Sequence, residues 1–375
     1  VIMRHIQHLD ELTYSSGGRK LLHKLLTSIR ERDQSQNVKI VSSRKFDGAP
    51  AIIFGREANG KFFLTTKAFF NAIPIICYSE QDIWEKFEDK PDLLSILVYV
   101  WKHLQDNTIP VGSIYQADLM FYGKSEFGED TENYLFQPNL IRYSIPHGEA
   151  KHVGLCVHTK LIVLFPTSTD NNVKYAHIPS DFTPDMVSSD VFLVQCDSSV
   201  FQSADLKGVA VHDELASKMD VLLEDIQFSD KHLELMQMFD NALVRGEFEV
   251  TDKRGYLANF MQFVTARMAK ELLQYKTDNA IFRCRTVYTD ILNVPLHIQL
   301  NAIKLYELRK ELEEFKHSLA THLDKYSPTN VKVEDGFEHE GFVVYLNDLI
   351  AVKIVDRDEF SRKNFNKNGN NFNRK

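Results

Sequence analysis

The hydrophobic period of this chain changes twice, and that limits the folds open to it. From residue 38 to 165 apolar residues alternate or come in short runs. Examples are VKIVSS (38–43), AIIFG (51–55), KFFLTT (61–66), SIYQADLMFYG (113–123), LIRYSI (140–145) and HVGLCVHTKLIVLF (152–165). Such runs predict strands. From about 205 to 325 the spacing becomes helical, in VHDELASKMDVLLEDI, KHLELMQMFDNALV, YLANFMQFVTARMAKELLQY and LNAIKLYELRKELEEFKHSLATHL. Strand character returns in GFVVYLN (341–347) and LIAVKIV (349–355), with a tight connection at Asn347-Asp348. Two further helices are predicted early, at 18–32 with Ser15 and Ser16 as caps, and at 92–105. Asn59-Gly60 between two strands is a hairpin signal. The expected class is α+β.

The expected organisation follows these changes. Residues 1–200 form the first part of a strand-rich core, 201–328 a helical insertion, and 329–356 the return of the core. Residues 357–375 form a basic, Asn-rich tail, expected to be disordered. Its charge comes from Arg357, Arg362, Lys363, Lys367, Arg374 and Lys375 against Asp358 and Glu359, a net of +4.

With 375 residues, 43% apolar and 26% charged, the chain can build a large core without metal or disulfide staples. The four cysteines, at 77, 156, 196 and 284, have spacings that match neither a zinc knuckle nor a dense disulfide framework. They read as reduced thiols of an intracellular protein. VIMRHIQHLDELT has no apolar core of a signal peptide, and SILVYVW (95–101) is far shorter than a membrane span. The expectation is a soluble, cytoplasmic protein with no membrane partner and no evident obligate protein partner. The formal charge is 44 − 52 = −8, so nucleic-acid contact would have to be local.

The candidate chemistry starts at Lys45-Phe46-Asp47-Gly48, where a strand ends. A lysine there becomes a nucleophile if burial or nearby cations remove its proton. Arg44 is such a neighbour, and Gly48 lets the backbone approach a ligand. Asp118 stands inside an apolar strand, where a lone carboxylate is costly unless paired or metal-bound. His158 lies in a third strand, on the same face as Cys156 by alternation. Glu340-Gly341 opens the late hairpin, and Lys353 lies in its return strand.

This order resembles the covalent nucleotidyltransferase superfamily of ATP-dependent DNA and RNA ligases and mRNA capping enzymes. Lys45–Gly48 looks like its motif I, and Ala117-Asp118-Leu119 like motif III. GLCVHTK (154–160) is similar to motif IIIa, EGFVV (340–344) to motif IV and AVKIV (351–355) to motif V. KFDGAPA together with VKIVDRDEF more closely resembles uncharacterised tailed-phage proteins grouped with the RNA-ligase-like fold. The resemblance covers roughly 38–165 and 335–360. It implies an antiparallel-sheet nucleotidyltransferase core (the ATP-grasp-like ligase adenylation type), built by both ends of the chain around one cleft.

By the same resemblance, Lys45 would attack the α-phosphate of ATP and hold AMP, with Asp47 orienting around it. Asp118 would contact the ribose and His158 the adenine. Glu340, with Asp118, would hold Mg²⁺ or Mn²⁺, and Lys353 would neutralise the α-phosphate. Lys67 is a candidate for a ribose or phosphate contact. Arg44, Lys61, Lys67 and Lys353 would form a basic patch, with Arg44 and Gly48 beside the cofactor. The partners implied are nucleic-acid ends, as RNA or a nicked duplex.

The chain departs from the family pattern at three points. Asp118 is one methylene shorter than the usual Glu. Val355 stands where a second motif V lysine is usual. Only 375 − 355 = 20 residues follow Val355, and no motif VI or OB-like domain is read there, which favours RNA over DNA. Two readings remain beside polynucleotide ligation. One is the same chemistry on a non-nucleic-acid acceptor, and the other a degenerate phage binding or structural protein. Three other signals are set aside. GREANGK (55–61) lacks the Ser or Thr and the helix of a P-loop. His147, His152, Cys156 and His158 lack a completing ligand for zinc. YELRKELEEFKH (306–317) reads as a solvated face with i,i+4 pairs.

Overall fold

The computed structural model describes residues 6–71, 73–123, 132–164, 174–250, 252–335, 339–348 and 350–355. The tail expected at 357–375 lies outside the described residues. The chain is mixed α+β, 45% helix and 23% strand, with sheets that are mostly antiparallel, which is the expected class. It divides into two compact units. Over the described residues, residue 6, 39–201 and 320–354 form the first, and 7–38 with 202–319 the second.

The larger sheet of the first unit runs Val191–Leu193, Val153–Leu164, Ile114–Tyr122, Ala51–Arg56, Phe62–Thr66. The strand Lys174–Pro179 also pairs with Val153–Leu164. Only the Val191–Leu193 pairing is parallel within this sheet. Alternation gives the sheet two faces. Ile52, Phe54, Leu64, Tyr115, Leu119 and Leu155 point to one, where they pack with Ile83, Leu97 and Trp101. Those last three come from helices Glu80–Lys86 and Pro91–Leu104. The other face carries Ile53, Phe63 and Leu161, packed with Phe69, and also Asp118.

A second sheet of the same unit places Ile350–Val355, Gly341–Leu346, Lys39–Lys45 and Ser199–Gln202 side by side. Its middle pair is antiparallel, from Gly341 opposite Lys45 to Leu346 opposite Ile40. Residues more than 290 positions apart are thus direct neighbours. Asn347 and Asp348 take positive φ of 51° and 57°, the backbone of a tight hairpin turn. A third, small sheet joins Asn133–Phe136, Tyr143–Pro146 and Lys332–Val333.

The second unit is helical. Helix Ser16–Glu31 is capped by Ser15, whose hydroxyl accepts from the Gly18 N–H. Asp230–Val244, Lys253–Leu272 and Asp278–Leu292 are capped in the same way by Ser229, Asp252 and Thr277. Phe239, Tyr256, Phe260, Val264, Tyr288 and Leu305 form its core. The sequence reading grouped 1–38 with the strand-rich core. In the structure 7–38 is part of the helical unit, because Tyr14 packs in that core and Ser28 hydrogen-bonds Ser203.

Candidate functional site

Lys45 closes its strand opposite Gly341, which brings its ammonium onto the Glu340 carboxylate as a hydrogen-bonded ion pair. Both side chains are largely covered, at 18% and 14% exposure. Burial alone would push the lysine pKa down. The charges of Glu340, Asp118 and Asp47 more than offset this and hold it above the ordinary value. Glu340 moves upward too, because burial outweighs the pull of Lys45. Beside Glu340, Lys45 is therefore an ammonium.

Asp118 belongs to the larger sheet, opposite Ala51 and Cys156. Burial raises its carboxyl, but His158, Lys45 and Lys67 overcome this and leave it below the usual range. His158 Nε2 lies 3.7 Å from Asp118 Oδ2. A β-bulge puts it there. Gln116 pairs with Thr159 but Ala117 pairs with Val157, so His158 is the extra residue. Its neighbour Thr159 also turns to this side, with its hydroxyl 3.2 Å from the Tyr345 hydroxyl of the second sheet. Two consecutive residues facing one site is something simple alternation does not allow.

Lys353 lies two residues along its strand from Ala351, on the face that carries Val343 and Val41. Burial, with the positive charges of Lys45 and Lys67, lowers its pKa to about 8. Lys67 opens the 3-10 turn Lys67–Phe70. One group thus gathers Lys45, Glu340, Asp118, His158, Lys353 and Lys67.

The other expected residues are placed differently. Asp47 acts on Lys45 by charge, but its carboxylate is committed elsewhere. It accepts from Asn139 Nδ2 at 2.7 Å and from the amides of Leu140 and Ile141 at 2.6 and 3.0 Å. Its own amide donates to the Tyr143 hydroxyl at 2.9 Å. Asp47 therefore shapes the turn after Lys45. Arg44 is not in the group. Alternation turns it to the opposite face of its strand, where it is buried at 4% exposure. There it binds Asp324 Oδ1 at 2.6 Å and the Ser327 carbonyl at 2.7 Å. It is a bolt between strand and helix end, on the face away from Lys45. Lys61 also stays outside the group, its ammonium over the Tyr78 ring at 4.6 Å.

Gly48 passes directly beneath Asp118. A Cβ there would lie 2.7 Å from Asp118 Cβ and 2.9 Å from Met120 Sδ. Gly48→Ala is therefore expected to push the 46–50 segment off the Ile114–Tyr122 strand, stretching the 2.9 Å bond from the Ala49 amide to the Leu119 carbonyl. The expected cost is about 1–3 kcal/mol. Denaturant unfolding would measure it, and an unchanged midpoint would show that the strand gives way freely.

Sequence reading missed His177, on the strand Lys174–Pro179. It pairs opposite Leu161, and its pKa is lowered by burial and by the charges of His158 and Lys353. The stretch KYAHIP carries too little apolar alternation to be read as a strand. The pairing that places His177 is visible only in three dimensions.

The donor set suits a hard divalent cation. Asp118 and Glu340 offer carboxylate oxygens, and Mg²⁺ commonly takes one or two carboxylates with phosphate oxygens and water. Among the described residues no three His, Cys, Asp or Glu side chains gather to hold a metal alone. An ion here would thus need oxygens from a bound phosphate. Among the described residues, no helix is long and apolar enough to cross a membrane.

No curated protein and no solved structure matches the chain. The model of a family of unknown function, DUF6267, matches residues 4–369, nearly the whole length, and the chain belongs to that family.

Proposed function

We propose that this chain is an ATP-dependent nucleotidyltransferase that carries AMP on Lys45 and passes it to a 5′-phosphate nucleic-acid end, RNA more than DNA. One observation carries the reading. Residues from four separate stretches of the chain bring together a lysine paired to a carboxylate, a second carboxylate and two more lysines. Three ammonium groups around one point suit a polyphosphate, and the carboxylates suit its counter-cation.

In the first step the Lys45 proton passes to Glu340, the adjacent acceptor, whose affinity for a proton burial has raised. The freed amine attacks the α-phosphorus. A P–N bond forms, the bond from that phosphorus to the bridging oxygen breaks, and pyrophosphate leaves with the electron pair while the nitrogen's second proton passes to the departing pyrophosphate or to water. Lys353 and Lys67 balance the charge on the phosphoryl oxygens. Mg²⁺ held by Asp118 together with phosphate oxygens would supply further neutralisation of the phosphates. In the second step an oxygen of a 5′-phosphate attacks the same phosphorus. The P–N bond breaks, the Lys45 nitrogen regains a proton, and a 5′–5′ adenylated end results. A 3′-hydroxyl then attacks the end's own phosphate and AMP departs.

The test is incubation with α-³²P-ATP and Mg²⁺, followed by a denaturing gel, with Lys45→Ala in parallel. The expected result is an acid-labile labelled band that the variant lacks. Chasing with 5′-phosphorylated RNA and nicked duplex should discharge it. A band that neither strand discharges would point to a different acceptor. The absence of any band with ATP, GTP or NAD from folded, de-adenylated protein would overturn the reading in favour of a binding protein.

A further inference from the structure

We propose that His177 is a ligand-contacting residue of the Lys45 site, donating to and accepting from the sugar hydroxyls of the bound nucleotide. This rests on the nucleotidyl-transfer reading and adds to it a residue that sets sugar specificity.

The starting observation is an orphan. Both His177 ring nitrogens are buried, and neither has a hydrogen-bond partner among the described residues. Leaving two polar atoms of one side chain buried and unpaired costs on the order of 1–3 kcal/mol each. Such a cost is expected where a ligand later supplies the partners. The ring is held in place by its strand pairing opposite Leu161 and by the Phe70 ring, 6.0 Å away between centroids.

Position and charge select the ligand group. His177 lies within reach of the charges that His158 and Lys353 carry when protonated. Burial and these charges lower its pKa to about 4, so at neutral pH the imidazole is uncharged. One nitrogen then donates and the other accepts. A phosphate offers only acceptors, and the three lysines already meet that need. A hydroxyl offers both functions at once. The polar, uncharged part of a nucleotide nearest its phosphates is the sugar, and His177 is within electrostatic reach of Lys353, one of the three lysines.

The experiment measures the rate of Lys45 labelling against concentration for ATP, 2′-deoxy-ATP and 3′-deoxy-ATP. It uses wild type, His177→Leu and His177→Gln, with thermal unfolding of each. Wild type should prefer ATP over at least one deoxy analogue by about ten-fold or more. In His177→Leu the KM for ATP should rise about ten-fold with little change in kcat, and the preference should collapse to within about two-fold. His177→Gln, which keeps a donor and an acceptor, should retain part of it. A merely structural histidine would lower the melting temperature on replacement. Here Leu removes two unpaired polar atoms, so the melting temperature should hold or rise.

Equal use of ATP and both deoxy analogues by wild type overturns the inference whatever the variants do. So does a KM in His177→Leu that is unchanged, or that rises equally for all three nucleotides. In these cases the labelling itself stands, and with it the nucleotidyl-transfer reading. Failure of wild type to label at all removes both.

Discussion

Replacing Lys353 with Met is expected to make the protein more stable and nearly inactive. The two effects share one cause. Burial and the charges of Lys45 and Lys67 bring the Lys353 pKa from its ordinary 10.5 to about 8. The folded state therefore holds this proton less tightly than the unfolded chain does. Between pH 8 and 10.5 the unfolded state binds more protons, so stability rises with pH in that window. The penalty is complete below pH 8 and fades as pH approaches 10.5. At roughly 1.4 kcal/mol per pKa unit, a charged Lys353 costs about 2–4 kcal/mol at pH 7. Met fills similar space without the charge, so denaturant unfolding at pH 7 should show a gain of this order that shrinks toward pH 10. If the site takes ATP as proposed, the same change removes a cation that faces its phosphates, and Lys45 labelling should fall about 10²–10³-fold. Lys353→Arg separates charge from shape, because its guanidinium stays protonated. The ratio of wild-type to Lys353→Arg labelling, as kcat/KM, should fall above about pH 8. A Met variant that is less stable at pH 7, or that labels normally, would contradict this account.

The opposite signs also say what kind of residue Lys353 is. A chain selected for stability alone gains nothing from an ammonium placed where burial and two neighbouring lysines depress its proton affinity, as they do at Lys353. The pattern makes sense if an anionic ligand completes the site, since its charge would restore the proton affinity of Lys353. The Lys45–Glu340 pair differs, because it is satisfied without a ligand. On the proposed reading it holds the attacking lysine in its protonated, resting form.

Local signals in the sequence were enough for the elements that build this site. The runs at 38–43, 51–55 and 61–66 and the late pair at 341–347 and 349–355 became strands close to their expected bounds. Ser15 capped the helix that follows it. The order Lys45, Asp118, Glu340, Lys353 on strands or their ends was legible because each residue sits oddly in its apolar setting. Direction was harder. Alternation says that Arg44 and Lys45 oppose each other, yet only the register with Gly341 and the contact to Asp324 tell which side is the site. The bulge at His158 depends on pairing with Ile114–Tyr122, and a one-residue slip reverses every facing. The membership of 7–38 in the helical unit rests on long-range packing, which no local window contains. Buried charges in that unit were equally invisible, although Arg309 and Lys316 fall in a stretch whose alternating charges suggest a solvated face.

Those buried charges give the second large expectation. Arg309 is 6% exposed, yet its Nε donates to Asp10 Oδ2 at 2.6 Å and its Nη1 to the Tyr14 hydroxyl at 2.8 Å. Asp240 Oδ2 lies 3.4 Å from the same Nη1. Asp240 also accepts from Tyr14 and from the Tyr256 hydroxyl, the latter at 3.0 Å. Lys316 holds the other Asp10 oxygen at 3.1 Å. Arg309→Met would take the guanidinium from Asp10 and, among the described residues, leave Asp240 with neutral hydroxyl donors. Breaking a buried charged network by removing one partner costs about 3–5 kcal/mol, and the helical unit should lose that much in denaturant unfolding at pH 7. The sign with pH follows from Asp240. Burial, only partly countered by Arg309, already raises its carboxyl. Without Arg309 it should rise further, so the carboxylate can be neutralised by a proton that the unfolded chain binds less readily. The deficit of the variant should therefore narrow between pH 7 and pH 5. A deficit that stays constant over that range would mean that lost packing of the Arg309 chain, not an unpaired carboxylate, is what the variant feels. Lys45→Ala serves as the control, because Lys45 and its partner Glu340 both lie in the other unit, and it should leave this transition unmoved.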